Sequence, residues 1–262
     1  MPEMDFAQWS RQELIRWLDH TLLVQSHRHV REAQCELRRR PTGVLSDQEI
    51  RSAMERDDIV IEPFAPQQLN TASYDITLGE WFYICEAMPF EDNFNPWDPE
   101  DVARYYKGPY QALTNQEWSD QHRGGRLWKN IPPTAPIIVL RPGECILGHT
   151  VEFIGARRDA VTMMHARSSI GRVNISTCDD AGWGDIGYIN RWTMEIRNKN
   201  KANVPLVVGE RVGQIIFFAA GPTDRDYGLE GHYQASTDLE VVKANWQPED
   251  MLPRLSLDYK EQ

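Results

Sequence analysis

Two arginines and two serines lie close together in the stretch HARSSIGRVN, residues 165–174. Arg167 and Arg172 offer forked guanidinium donors that match the oxygens of a phosphate group. Ser168 and Ser169 add short hydroxyl donors. A solvated turn with two unrelated surface arginines has the same composition, so this stretch alone leaves both interpretations open. We call these four residues the anion cradle.

A second candidate is Glu195, which stands between Met194 and Ile196 in a strand-like run. Strand alternation places its carboxylate on the face opposite those two apolar neighbours. A solvent-facing carboxylate is the commoner outcome on statistics alone. A carboxylate that faces a closed pocket instead has a raised pKa and can carry protons in both directions. The chemistry at stake is therefore proton transfer.

Composition and charge limit the classes of partner. The chain has 262 residues, of which 41% are hydrophobic and 26% charged, as is ordinary for a globular protein. Its net charge of -11 argues against a protein that coats a nucleic-acid polymer or an anionic membrane. A small phosphorylated ligand remains compatible with that charge, because a local basic pocket is enough to bind it.

The cysteines are widely spaced, at Cys35, Cys85, Cys145 and Cys178. Without a CxxC pair, neither a zinc ribbon nor a redox dithiol is indicated. The first residues lack the basic region and apolar run of a signal peptide, and no stretch approaches membrane-spanning length. We therefore expect a soluble protein of the reducing cytoplasm.

Helical signals come first along the chain. Residues 1–43 are predicted to form a helical extension, with capping-box spacing between Ser10 and Glu13. A second capping box, Ser46 to Glu49, opens a short helix.

Strand signals dominate after residue 73. Tyr74, Ile76 and Leu78 alternate with polar residues, which predicts a half-buried strand that ends at Gly79. Further strand-like runs occur at WFYI, PIIVL, ECILG, AVTMM, WTMEI, VPLVV and GQIIFF. Many short strands with few helices between them predict a mainly β barrel or sandwich.

Three segments are expected outside this pattern. An acidic and aromatic insertion, about residues 86–130, is predicted to fold over the barrel with a short helix near Asp98 to Tyr105. The barrel domain is predicted over residues 44–240. The tail, residues 241–262, has no assigned role.

Four ordered motifs, ARSSIGR, AGWGDIGY, TMEI and GERVGQIIFF, resemble those of the dCTP deaminases, a branch of the trimeric dUTPase superfamily. SDQEIRSAMERDDIVIEPF with NTASYDITLG, and IIVLRPGECILGHTVEFI, are similar to that family's earlier helix and strands. The match spans about residues 45–85 and 136–240. The resemblance implies a distorted jelly-roll β-barrel of the dUTPase-like type that forms homotrimers with active sites between subunits.

The resemblance also implies roles at the site. Arg167 and Ser169 would bind the triphosphate, while Ser168, Arg172 and the backbone of Ala181 would hold water near C4 of cytosine. Glu195 would take a proton from that water and return protons to N3 and the leaving amine. The remaining implied contacts to dCTP or dUTP are Ala181, Trp183, Gln214, Tyr227, His232 and Gln234.

No protein metal site is implied. The chain lacks the H-x-E and P-C-x-x-C signature of zinc deaminases, so deamination without zinc is expected. Magnesium is expected as the counter-ion of the triphosphate. Asp185 stands where dUTPases keep the aspartate that orients water against the α-phosphorus, so further hydrolysis of dUTP to dUMP is an open second activity.

Three residues at two places depart from the family's pattern. Asp179 and Asp180 stand before Ala181, where a small hydroxyl residue is usual, and His232 replaces a phosphate-binding lysine. The alternatives left open are a deaminase of a base-modified dCTP, a dUTPase, and a nucleotide-sensing trimer without catalysis.

Overall fold

Antiparallel strands are the main regular element of the chain in the computed structural model. The structure describes residues 6, 9, 11–21, 30, 43–85, 93–221, 223–224, 227–234 and 236–257. Within them the strands are β1 (Ile59–Glu62), β2 (Tyr74–Cys85), β3 (Tyr106–Gln111), β4 (Leu113–Thr114), β5 (Pro136–Leu140), β6 (Cys145–Ala156), β7 (Ala160–Ala166), β8 (Ile175–Ser176), β9 (Trp183–Gly184), β10 (Ile189–Asn198), β11 (Val204–Val207) and β12 (Arg211–Ala219).

These strands form two sheets. The larger has nine strands along the path β8-β10-β6-β2-β12-β7-β9, with β1 paired to β6 and β3 paired to β2. The smaller has the order β11-β5-β4. Every pairing between these strands is antiparallel. The prediction of a mainly β fold is confirmed.

Helices are short and lie between or beyond the strands. They are α1 (Arg11–Thr21), α2 (Asp47–Glu55), α3 (Pro99–Tyr105), α4 (Asn115–Arg123), α5 (Ser168–Arg172), α6 (Tyr227–Glu230) and α7 (Leu239–Asn245). The capping box predicted at Ser46 and Glu49 is present at the start of α2. In the extension, α1 agrees with the predicted helix, whereas Ser10 lies outside the described residues. Among the described residues, no helix combines the length and apolarity that crossing a bilayer requires.

One apolar core lies between the sheets. Its fully buried side chains come from strands that are distant in sequence, among them Tyr74, Ile138, Ile154, Met194 and Phe217. A buried side chain of this size is worth about 1.5–3 kcal/mol relative to an exposed one. The core therefore fixes which face of each strand points inward.

β2 continues past the glycine at which the sequence predicted its end. The strand runs through Gly79 to Cys85, pairing first with β12 and then with β6 and β3. Its polar residues Asp75 and Thr77 are 2% and 7% exposed. The prediction of a half-buried strand ending at Gly79 was wrong, because both faces of β2 are covered there.

The insertion joins the sheets by backbone pairing. β3 pairs with the second half of β2, and β4 pairs with β5. Asp98 caps α3, which agrees with the short helix predicted near that residue. Residues 86–92 lie outside the described part of the chain.

The tail packs back onto the large sheet. A 3₁₀ turn, Pro248–Met251, follows α7. Met251 is 3% exposed and packs with Tyr83 and Leu147, and the Trp246 ring lies 4.7 Å from the ring of His149. The tail, to which the sequence assigned no role, thus covers one end of β2 and β6.

Gly79 and His149 explain why β2 continues. A Cβ at Gly79 would lie 2.0 Å from the His149 ring, so only glycine leaves room for the imidazole. The ring accepts at Nε2 from the Trp81 N–H (3.2 Å) and donates from Nδ1 to the Thr150 carbonyl (2.8 Å). These two bonds fix one neutral tautomer, and burial lowers the pKa of His149 to about 4.

We expect His149 to make the free energy of unfolding depend on pH. The unfolded imidazole has a pKa near 6.5, so the unfolded state binds the extra proton first as the pH falls. Stability should be complete above pH 6.5 and fall between about 6.5 and 4, by about 3 kcal/mol in total. Urea unfolding across this range measures the loss. His149→Gln should flatten the slope, whereas His122→Gln, at an exposed histidine, should keep it.

Candidate active site

Glu195 lies on β10 with its carboxylate facing away from the core. It opposes Leu147 on β6, while its neighbours Met194 and Ile196 are fully buried on the other face. The Glu195 side chain is half-buried, and its Oε2 is buried without a hydrogen-bond partner in the described structure. Burial raises the pKa of Glu195, and the charges of Asp179 and Asp180 raise it further. The carboxylate is thus suited to hold a proton closer to neutral pH than an exposed glutamate.

Two cavities meet at Glu195. The first, of about 450 Å³, extends toward the turn that contains Ala181, and we call it the turn-side cavity. The second, of about 1120 Å³, extends toward the ends of β2 and β6, and we call it the sheet-end cavity. Glu195, Tyr106 and Leu147 line both. Glu195 is therefore reachable from two sides.

The turn 181–185 forms one wall of the turn-side cavity. Ala181, Trp183 and Asp185 all line this cavity. A Cβ at Gly182 would lie 2.7 Å from the Met164 carbonyl oxygen, and one at Gly184 would lie 2.3 Å from Thr162 Oγ1. Both glycines are needed because the turn packs directly on β7.

Within this turn, Trp183 and Asp185 are joined. The indole Nε1 donates to Asp185 Oδ1 at 3.1 Å, and Trp183 is 54% exposed. An exposed indole of this kind is available for contact with a ligand or a second protein surface.

The paired carboxylates beside Ala181 have different surroundings. Asp179 accepts from Arg197 Nε at 3.2 Å and from Lys199 Nζ at 3.0 Å. Partial burial opposes ionisation of Asp179, but the hydrogen bonds from Lys199 and Arg197 outweigh it and lower the pKa. One of the two charges is thereby neutralised locally. Both Asp179 and Asp180 line the sheet-end cavity.

The anion cradle lies on and before α5. Ser168, Ser169 and Arg172 are exposed, while Ile170 packs toward the core and anchors the helix. Arg167 precedes the helix, and its Nε bonds Asp75 Oδ2 at 3.1 Å. Asp75 therefore orients the Arg167 side chain, whose other guanidinium nitrogens carry further hydrogen-bond donors.

Asp75 also binds a second arginine. Arg211 Nη1 lies 3.3 Å from the same carboxylate oxygen, and Asn70 Nδ2 donates to the other oxygen at 3.0 Å. Gln214 on β12 opposes Asp75 on β2 and His165 on β7, so it lies beside the cradle. Buried Asp75 was not singled out from the sequence, although it stands in the NTASYDITLG motif.

The cradle does not line either of the two cavities that meet at Glu195. Among the described residues that line the two cavities, none belongs to the cradle. Ala181, Trp183, Asp185, Tyr227 and Glu195, by contrast, share the turn-side cavity. The site residues predicted from the sequence therefore divide into two groups on this chain.

Residues 227–234, which we call the closing segment, contribute unequally to the cavities. Tyr227 lines the turn-side cavity and packs edge-on against Tyr188 at 5.4 Å. Burial raises the pKa of Tyr227. With Asp185, it also lines a third cavity of about 700 Å³, which includes His232.

Gln234 is fully engaged with the backbone. Its Oε1 accepts from the Ile189 N–H at 2.7 Å, and its Nε2 donates to the carbonyls of Gly187 and Ser236 at 2.9 and 2.8 Å. Gln234 is 6% exposed. In this structure its side chain holds the closing segment on β10, and its predicted contact with a nucleotide stays a prediction.

The tail supplies cavity walls that were not predicted from the sequence. Trp246, Asp250, Met251 and Pro253 line the turn-side cavity opposite the turn 181–185. Tyr106, from the insertion, completes the wall between the two cavities. Aromatic content was the only sequence signal for Tyr106. Long-range packing places both the insertion and the tail at these cavities. No group of three or more described His, Cys, Asp or Glu residues is arranged to hold a metal ion.

Comparison with known proteins gives consistent matches. Residues 44–220 match the family model described as dCTP deaminase-like. Two relatives are named "dCTP deaminase, dUMP-forming". The protein from Tropheryma whipplei (strain Twist) is 31% identical, and the alignment covers 71% of this chain and 83% of that protein. The protein from Nanoarchaeum equitans is 28% identical, and the alignment covers 76% of this chain and 98% of that protein. The crystal structure of a 2'-deoxycytidine 5'-triphosphate deaminase from Agrobacterium tumefaciens overlays with a TM-score of 0.46 at 21% identity. That overlay covers 68% of this chain and about half, 49%, of the other.

The ordered motifs that carried the resemblance all lie within the matched region, residues 44–220. Because the family model covers more than half of the chain, and a relative at 31% identity is covered over most of its length, the assignment does not depend on any single motif. The chain belongs to the dCTP deaminase-like family.

Proposed function

We propose that this protein deaminates dCTP to dUTP and ammonia, and then hydrolyses dUTP to dUMP and diphosphate. The observation that carries the proposal is Glu195, a half-buried carboxylate with a raised pKa and an unpaired oxygen at the meeting point of two cavities. The protein belongs to a family whose aligned relatives are named dUMP-forming dCTP deaminases, and this supports both steps.

In the first step, ionised Glu195 takes a proton from water as the oxygen adds to C4 of cytosine. The proton then passes to N3, and a further proton transfer to the amino group lets ammonia leave from the tetrahedral intermediate. Ser168, Arg172 and the backbone of Ala181 are proposed to hold the water. A single carboxylate must act as base and then as acid, so a pKa raised toward neutrality favours the cycle.

The cradle is proposed to come from a second subunit. Arg167 and Ser169 would bind the triphosphate of a nucleotide whose base lies at Glu195 of the neighbouring chain. Among the described residues of one chain, the cradle lines neither cavity at Glu195, which supports this arrangement. A homotrimer with active sites between subunits is the assembly we propose, since a cyclic assembly repeats one such contact at every site.

In the second step, Asp185 is proposed to orient water against the α-phosphorus of dUTP. The hydrogen bond from Trp183 Nε1 holds the carboxylate at the cavity wall. Magnesium is proposed to enter with the triphosphate, whose charge it offsets, and Tyr227, Gln214, His232 and Gln234 remain proposed nucleotide contacts. Because free deoxynucleotides are cytoplasmic, we place the protein there.

A base-modified dCTP is a second candidate substrate. The sheet-end cavity continues beyond Glu195 for about 1120 Å³, which leaves space on the side away from the turn. A substituent on the cytosine ring would have room to enter it.

The direct experiment is incubation with magnesium and dCTP, resolved by anion-exchange chromatography beside dUTP and dUMP. We expect dUMP, diphosphate and ammonia in equal amounts. Accumulation of dUTP alone would remove the second step. Unchanged dCTP, with conversion of 5-methyl- or 5-hydroxymethyl-dCTP in parallel reactions, would favour the modified substrate. Binding of every nucleotide without any turnover would contradict catalysis and leave a sensor.

Glu195→Gln should abolish deamination while preserving the fold. We expect kcat/KM for ammonia release to fall by about 10²–10⁴-fold, because the amide cannot accept the proton. The Tm at pH 7 should not fall, since the substitution removes a charge that burial disfavours. Glu144→Gln, at another glutamate lining the sheet-end cavity, is the matched control and should keep activity. Full ammonia release by the Glu195 variant would exclude it as the proton carrier.

Asp180→Asn should extend activity to lower pH. The Asp180 charge raises the pKa of Glu195, so its removal should lower that pKa and keep the base ionised in more acidic solution. We expect the acid limb of kcat/KM to move to lower pH, by more at low salt than at high salt. Asp224→Asn, at an exposed acid outside both cavities, should leave the limb in place. An upward shift for Asp180→Asn would contradict the electrostatic argument.

Mixed assemblies should reveal whether the site is shared. Arg172→Ala and Glu195→Gln should each be inactive alone. Reassembled together from equal amounts, they should regain activity at about one quarter of the sites, because random mixing pairs one intact cradle with one intact Glu195 in that proportion. Activity that stays at the level of the separate variants, with mixed assembly verified by native mass spectrometry, would place both groups in one chain.

A further inference from the structure

Two cysteines that are far apart in sequence meet at the end of the large sheet. Cys85 is the last residue of β2, and Cys145 is the first residue of β6. These strands are antiparallel, with Ile84 opposite Ile146, so the next pair in register is Cys85 and Cys145. Residues directly opposed on antiparallel strands have Cα atoms about 4.5–5.5 Å apart, within the range of about 4.4–6.8 Å that a disulfide requires.

The two thiols are neighbours at this register position, close enough that each shifts the pKa of the other. Both cysteines are free. No CxxC spacing marks this pair, because strand register and not local sequence brings the sulfur atoms together.

The surroundings give the two thiols different character. Arg197 on β10 stands directly opposite Cys145 on β6. The neighbouring Cys85 thiol and the charge of Arg197 lower the pKa of Cys145, against the effect of burial. The Cys145 thiol, with burial, raises the pKa of Cys85. Cys145 is therefore the better nucleophile, and Cys85 is placed to follow it.

A small molecule has access to the pair. Cys85 and Cys145 are half-buried and line the sheet-end cavity, as does Glu195. A cavity of about 1120 Å³ admits a reagent of low molecular weight.

We propose that Cys85 and Cys145 are a reversible redox site, which takes a low-molecular-weight disulfide as oxidant and closes to an intramolecular disulfide. The Cys145 thiolate attacks one sulfur of the reagent, the reagent's S–S bond breaks, and one thiolate leaves. Cys85 then loses its proton and attacks the Cys145 sulfur, which releases the second thiolate. The balance is two protein thiols and one disulfide in, and one protein disulfide and two small thiols out.

The bond would close a loop around the insertion. Residues 86–144 contain α3, β3, β4, α4 and β5. Tyr106 on β3 stands opposite Cys85 and lines both cavities, so oxidation would fix this wall beside Glu195. The inference concerns the free chain and does not depend on dCTP being the substrate.

The test uses the reduced full-length protein and excess hydroxyethyl disulfide at pH 8, with intact mass and peptide mapping. We expect wild type to lose two hydrogens and to yield one linked peptide pair, Cys85 with Cys145, that dithiothreitol separates. Cys178→Ser should behave as wild type, since burial raises the pKa of that thiol to about 11, and Cys35→Ser serves as a further control.

Single variants of the pair separate the two roles. Cys85→Ser should stop at a mixed disulfide on Cys145, because no second thiol displaces the reagent. Cys145→Ser should be modified much more slowly at Cys85. Circular dichroism verifies that each variant is folded. Wild type that retains both thiols, that carries a stable mixed disulfide on either cysteine, or that links Cys178 instead would overturn the proposal.

Discussion

The antiparallel register between β6 and β10 is the constraint on which the candidate site depends. It sets Glu195 opposite Leu147 and Arg197 opposite Cys145. A slip of one residue would turn Glu195 into the core and expose Met194 and Ile196, both fully buried here. Since each such side chain is worth about 1.5–3 kcal/mol when buried, their packing holds the carboxylate at the cavity wall.

Two carboxylates, one fully buried and one half-buried, show how charge pairing separates a structural role from a proposed chemical one. Asp75 is 2% exposed and binds Arg167 and Arg211, so its charge is compensated and orients the cradle. Glu195 lies on the same face of β10 as Arg197, yet that guanidinium is bound to Asp179. Burial therefore acts on Glu195 without a compensating ion pair, and its pKa rises. The different roles of the two carboxylates follow from the cationic partners that Asp75 has and Glu195 lacks.

Local patterns predicted what local forces decide. Alternation found the strands, and the Ser46 to Glu49 spacing found the start of α2. Gly79 was misread as a strand end because its role, space for the His149 ring, depends on a residue from β6. Two other features depend equally on contacts between segments far apart in sequence, which spacing does not encode. They are the Cys85 and Cys145 pair and the packing of the tail against the turn-side cavity.

The two sides of Glu195 are built from different parts of the chain. The turn 181–185 lies within the region that matches the family model, whereas Trp246 and Met251 belong to the tail beyond it. The proposed proton transfer needs only Glu195 and a held water, so it does not constrain the tail. The proposed fit of a base depends on the opposite wall, which the tail supplies. If the reaction is the one proposed, substrate choice can change through the tail while the proton chemistry on β10 stays the same.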